Sequence, residues 1–101
     1  MPLSETKLKN KVLKFIKSEY PDAWIYKAAD RFTSGIPDLL ICRKGLFYAI
    51  ELKVGSNKAT KLQEYVLRQI HRAGGRTAVC RTVDQVRNLL VEGGDLNGQS
   101  R

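Results

Sequence analysis

The run from Leu46 to Val54 constrains the fold of this chain more than any other segment. Apart from Glu51 and Lys53 it is apolar or aromatic throughout, and it reads as a strand lying within a sheet. Side chains alternate between the two faces of a strand, so Tyr48, Ile50, Leu52 and Val54 share one face, a plain core face. Phe47, Ala49, Glu51 and Lys53 share the other. A glutamate and a lysine thus project side by side from an otherwise apolar strand. Either that face is solvated and the two form an exposed ion pair, or the charges are held there for a chemical purpose.

The preceding segment bears on the choice. Ile36-Pro37-Asp38-Leu39-Leu40-Ile41-Cys42 also reads as a strand, in which Pro37 is tolerable only near the start or on an edge. Arg43-Lys44-Gly45 is a turn, so the two strands form a hairpin. Asp38 follows a glycine and a proline that position the backbone rigidly, and the hairpin can bring it beside Glu51, although the sequence leaves the register open. Two carboxylates and a lysine meeting at a sheet surface suit a hard divalent cation. Mg²⁺ favours carboxylate oxygens and keeps its waters for a substrate phosphate. The main-chain carbonyl of Leu52, between the two charged residues, can add a neutral ligand.

The rest of the chain supplies the frame. Residues 5–18 read as an amphipathic helix with Leu8, Val12, Phe15 and Ile16 at helical spacing and Ser4 as the cap. Pro21 closes that segment, and Ala23-Trp24-Ile25-Tyr26 is a short strand. Ala29 to Gly35 is a loop, as is Gly55 to Ala59. Thr60 opens a second helix with Leu62, Val66, Leu67 and Ile70 on its apolar side, and Gly74-Gly75 ends it. Thr77 to Cys80 is a further strand, and Thr82 caps a last helix carrying Val83, Val86, Leu89 and Leu90. The expected class is mixed α/β in the order α-β-β-β-α-β-α. Its closing strand-helix-strand passage implies a parallel pair across a right-handed crossover. Residues 1–92 form one domain in this reading, and the glycine-rich stretch 93–101 is a flexible polar tail.

Two further side chains have double readings. Glu5 falls on the stripe of Leu8, Val12 and Ile16 and so faces inward; equally, it is an acidic residue in a first turn, where the helix dipole favours it. Gln63 completes a T-x-x-Q capping box with Thr60. Thr82 and Gln85 repeat that pattern. His71, late in a basic helix, reads as a surface residue.

Composition fits one globular domain: 101 residues, 43% hydrophobic and 28% charged. No apolar run approaches the ~20 residues that span a bilayer. The lysine-rich N-terminus has no signal-peptide segment, so a cytoplasmic protein is expected. Eighteen basic against ten acidic residues leave +8, which points to a polyanionic partner, nucleic acid first. Cys42 and Cys80 lack zinc spacing and read as free, mostly buried thiols.

Gly35-Ile36-Pro37-Asp38, twelve residues, then Glu51-Leu52-Lys53 resembles the PD-(D/E)xK nuclease signature. Several further features resemble the virus-type replication-repair nuclease domain, VRR-NUC. They are Glu5 in the first helix, Trp24 to Lys27, the helix opening T-K-L-Q with Gln63, and A-G-G-R-T-A-V. The likeness covers about residues 5–92. It implies a restriction-endonuclease-like fold with a mixed sheet flanked by helices, and Mg²⁺- or Mn²⁺-dependent DNA cleavage. Asp38 and Glu51 carry over as metal ligands and Lys53 as the catalytic lysine, with Glu5 and Gln63 added to the site. A minimal stand-alone member of this kind implies a viral (phage) or bacterial protein inside the host cell. It would act as a homodimer on branched DNA such as four-way (Holliday) junctions. The alternatives are a non-catalytic junction-binding module and a restriction-type or RNA-directed nuclease. Lys7, Lys11, Lys14, Lys27, Arg31, Lys58 and Lys61 are candidate phosphate contacts. Trp24, Tyr65 and Phe32 are candidates for a dimer interface, with core burial the expected place of Trp24.

Overall fold

The computed structural model describes residues 3–29 and 34–98, with side chains as far as Val91. The elements are α1 (Glu5–Glu19), β1 (Trp24–Lys27), β2 (Leu39–Arg43), β3 (Leu46–Leu52), α2 (Lys61–Arg72), β4 (Arg76–Cys80) and α3 (Val83–Gly98). They follow the expected order. The four strands form one sheet in the order β1-β2-β3-β4, with antiparallel β1–β2 and β2–β3 pairs and a parallel β3–β4 pair. The parallel step needs a crossover, and α2 provides it.

The apolar stripe of each flanking helix decides where the core sits. Leu8, Val12 and Ile16 of α1 and Val86 and Leu90 of α3 cluster with Leu39, Ile41, Tyr48, Ile50, Leu52 and Cys80. This is one face of the sheet. Fully burying a Leu or Ile side chain contributes about 1.5–3 kcal/mol, so this face supplies most of the driving force. α2 packs on the opposite face against β3 and β4. There the backbone of Gly75 passes so close that an added Cβ would lie 2.6 Å from Ile70 and 3.4 Å from Phe47.

Local chemistry sets the helix ends. The Ser4 hydroxyl accepts from Lys7 N at 3.1 Å, capping α1. Past Arg72, Gly75 N donates to Ile70 O at 2.9 Å and Gly74 N to His71 O at 3.0 Å. Gly74 has φ +105°, the left-handed residue this Schellman ending requires. α3 runs on to Gly98, so helical backbone extends into the stretch expected to be a flexible polar tail. Gly93 and Gly94 weaken a helix by about 1 kcal/mol each but, unlike proline, block no hydrogen bond. Residues 99–101 lie outside the described residues.

Three expectations change. β2 begins at Leu39 rather than Ile36, since Pro37 has no N–H to enter the ladder. Trp24 is exposed rather than in the core, because β1 is an edge strand on which no described helix packs. Cys80 is buried as expected, but Cys42 is exposed. No helix among the described residues is long and apolar enough to cross a membrane.

Candidate active site

The β2–β3 register pairs Leu39 with Ile50 and Leu40 with Ala49. One further step sets Asp38 opposite Glu51, the adjacency that the sequence left open. Partners directly opposite in a ladder share a face, and this is the α2 face of the sheet. Glu51 is 0% exposed, Asp38 1% and Lys53 8%. The solvated-face alternative for the Glu51–Lys53 pair therefore fails: β3 lies between two strands, with helices on both its faces.

Backbone geometry holds these side chains in place. Asp38 Oδ2 accepts from Leu52 N at 2.7 Å, and Asp38 O accepts from Ala28 N at 2.9 Å. The aspartate is thus clamped between β1 and β3. Along a strand the N–H and C=O of one residue point to the same side, so the Leu52 carbonyl also faces the Asp38 side. Lys53 Nζ lies 3.3 Å from Glu51 Oε2, and Lys53 N donates to Cys80 O at 3.1 Å.

Gly35 fixes the approach of this segment to α2. Its φ is +72°, and an added Cβ would lie 2.6 Å from Leu62 Cγ and 3.1 Å from Leu62 O. Only glycine meets both conditions. Since Leu62 lies against Gly35 while Ile70 lies beside Gly75 and Phe47, the first turn of α2 covers the Asp38 end of the sheet. Gln63, in that turn, is 3% exposed. Its Oε1 accepts from Thr60 N at 2.8 Å and its own N donates to Thr60 Oγ1 at 3.1 Å, a complete capping box. Gln63 keeps its amide donors, and one lone pair of Oε1, for a ligand. Thr82 Oγ1 likewise accepts from Gln85 N, whereas Gln85 Oε1 takes Arg81 N instead of closing the box.

Glu5 is half-buried in the first turn of α1, on the stripe of Leu8 and Val12. Leu3 and Leu8 line a cavity of ≈ 260 Å³ with Arg81, Thr82, Val83 and Asp84, so α1 begins at the end of the sheet where β3 and β4 finish. Glu5 shares that end, but α1 packs on the other face. Among the described residues no three His, Cys, Asp or Glu side chains form a metal-binding group. Asp38 and Glu51 are the pair that could hold a cation there, while Glu5 sits at the same end on the other face. Two carboxylates plus a carbonyl fit Mg²⁺, which takes one or two protein carboxylates and fills its shell with water and phosphate oxygens.

Lys7, Lys11, Lys14, Lys27, Lys58 and Lys61 are all exposed. Lys7, Lys27, Lys58 and Lys61 flank the site end of the sheet by their position in the fold, while Lys11 and Lys14 recede along α1. Arg31 and Phe32 lie outside the described residues. Tyr65 is exposed on α2, its hydroxyl accepting from Gln69 Nε2 at 3.1 Å, and His71 is exposed as expected. The feature that residue patterns did not single out is the exposed Trp24–Tyr26 pair. Its signal was present: both residues alternate with Ile25 and so share one face of the strand.

The element order and the facing Asp38 and Glu51 define a PD-(D/E)xK-like fold. No family model matches the chain, and no curated protein matches its sequence. A solved structure described as a VRR_NUC domain is similar at a TM-score of 0.62 and 25% identity, over 80% of this chain and 91% of that one. Fold, element order and this match together support a VRR-NUC domain.

Proposed function

We propose that the chain is a nuclease that hydrolyses DNA phosphodiester bonds with the help of Mg²⁺ or Mn²⁺ at Asp38 and Glu51. The observation that carries this is the burial of two carboxylates and a lysine at one spot on the sheet. Each buried ion costs several kcal/mol of desolvation, against a net stability of about 5–15 kcal/mol for a whole domain. A purely structural or DNA-binding surface gains nothing from that arrangement. The VRR-NUC likeness supports the same reading.

A bound divalent cation would supply Lewis acidity toward a phosphate oxygen and lower the pKa of a water toward neutrality. The chain's own groups do the rest. The Leu52 N–H holds Asp38 in one orientation, so its carboxylate is preorganised rather than recruited. Lys53, oriented by Glu51, presents its ammonium to the charge that develops on the scissile phosphate. Gln63 donates its amide hydrogens to a substrate oxygen or a water while its carbonyl caps α2. Exposed lysines at the same end take the flanking phosphates. Among the described residues no base-reading element lies beside the site, which favours recognition of DNA shape. Four-way junctions are the preferred substrate in this reading, with a homodimer presenting two sites.

The deciding experiment is a cleavage panel of four-way junction, flap, blunt duplex and RNA, with Mg²⁺, Mn²⁺ or EDTA. Metal-dependent cutting with the junction preferred is expected. Intact substrates under both metals, with DNA binding retained, would leave a junction-binding module. Preferential cutting of RNA, or of one duplex sequence, would refute the substrate assignment but not the centre.

A further inference from the structure

On the sheet face that carries Asp38 and Glu51, α2 packs against β3 and β4 and reaches neither β2 nor β1. The uncovered half holds Trp24 and Tyr26, 58% and 48% exposed. Register lays three rows across this face: Trp24, Cys42 and Phe47; Tyr26, Leu40 and Ala49; then Asp38 with Glu51. The two rings are parallel to within 10°, their centroids 6.3 Å apart. Strand spacing puts the Cα of Tyr26 about 8 Å, and that of Trp24 about 14 Å, from that of Asp38.

Large aromatic faces left in water forgo burial free energy, and on an edge strand they invite unwanted pairing. An occupant that gains from flat π surfaces removes both costs. Charge selects among occupants. A chain of net charge +8 attracts a polyanion. Exposed Lys44 lies in the turn beyond Cys42, the partner of Trp24, and exposed Lys27 follows Tyr26 along the edge strand, starting from its other face. Exposed aromatic faces on a basic protein are how single strands are held, because every base has a π face and every nucleotide a phosphate.

We propose that Trp24 and Tyr26 form a stacking platform for unpaired DNA bases, seating a single-stranded stretch of substrate beside the Asp38–Glu51 centre. The proposal rests on the nuclease reading for the identity of the polyanion. The platform leads away from the site along β1, so the centre would meet DNA at a branch point, where a strand leaves its duplex and bases unpair.

Trp24 is the one tryptophan of the chain, so its emission reports the platform directly. The full chain in EDTA is titrated with single-stranded oligothymidylate, an abasic oligomer of the same length, and a blunt duplex. Saturable quenching by oligothymidylate, and little by the other two, is the expected result. Tyr26→Ala should weaken that binding roughly tenfold, whereas Tyr26→Phe, which keeps the ring, should not. Equal quenching by the abasic oligomer or the duplex overturns the platform. So does blue-shifted emission from a particle of twice the chain mass, the sign of a second copy on the strip. The abasic comparison uses the unmodified chain and decides the matter even if Tyr26→Ala does not fold. Quenching without metal-dependent cleavage of any substrate would sink the nuclease reading alone; cleavage of branched DNA without quenching would sink the platform alone.

Discussion

Single residues in this protein separate chemistry from stability. Asp38 accepts the Leu52 N–H, a bond that an amide oxygen can also accept. Asp38→Asn should therefore fold with a stability within about 1 kcal/mol of the parent, as seen in denaturant midpoints. Its cleavage rate should fall more than about a hundredfold, beyond what losing an outer-shell partner causes, and binding in EDTA should persist. Undiminished cleavage would remove Asp38 from the centre. Cys80 gives a contrast in which only stability responds. Burial pushes its thiol up to about 11 from 9.0, so between those values the unfolded chain ionises while the folded one does not. The unfolded state then binds fewer protons, and stability falls as pH rises, by up to about 1.4 kcal/mol per pH unit. Burial raises the Tyr48 hydroxyl as well, extending the decline above pH 10. Cys80→Ala should flatten the slope between pH 9 and 11 in alkaline unfolding curves. An unchanged slope would assign the decline to other groups.

At the scale of elements, the first turn of α2 joins fold to site. Gly35→Ala forces a left-handed alanine into Leu62, and the two effects together should destabilise by about 2–4 kcal/mol. Because Gly35 sets the approach to Asp38, activity should drop even at temperatures where the variant is fully folded. Activity that merely follows the folded fraction would make Gly35 a packing residue only. Gln63→Ala removes half of the capping box, a loss of about 1 kcal/mol, and also removes the amide donors. Both stability and kcat should fall. A variant that is destabilised yet fully active at low temperature would confine Gln63 to its cap.

For the whole molecule the governing quantity is charge. A net +8 should make DNA binding in EDTA fall steeply with salt, with a log–log slope of about −0.9 per phosphate neutralised. Neutralising Lys58 or Lys61 should reduce that slope by about 1 each. Lys17, at the far end of α1, should leave it unchanged, and slopes insensitive to Lys58 and Lys61 would move the DNA path elsewhere. The same charge bears on assembly: a homodimer must bury enough apolar surface to offset mutual repulsion, and light scattering at several salt concentrations measures that balance.

Strand alternation, periodic apolar positions and cap residues are local properties, and they carried most of the architecture. Element order, the capping box at Thr60 and Gln63, and the shared face of Glu51 and Lys53 were all legible in the residues. So was the pairing of Asp38 with Glu51 as a possibility, since a hairpin admits only a few registers. The tertiary structure decided the rest. Glu51 is buried because β2, β4 and α2 all close over it, which no window of sequence around Glu51 contains. Trp24 is exposed for the converse reason: it has the composition of a core residue, but β1 has a neighbour on one side only. A sequence states which face a side chain takes; how many neighbours cover that face depends on elements far away in the chain.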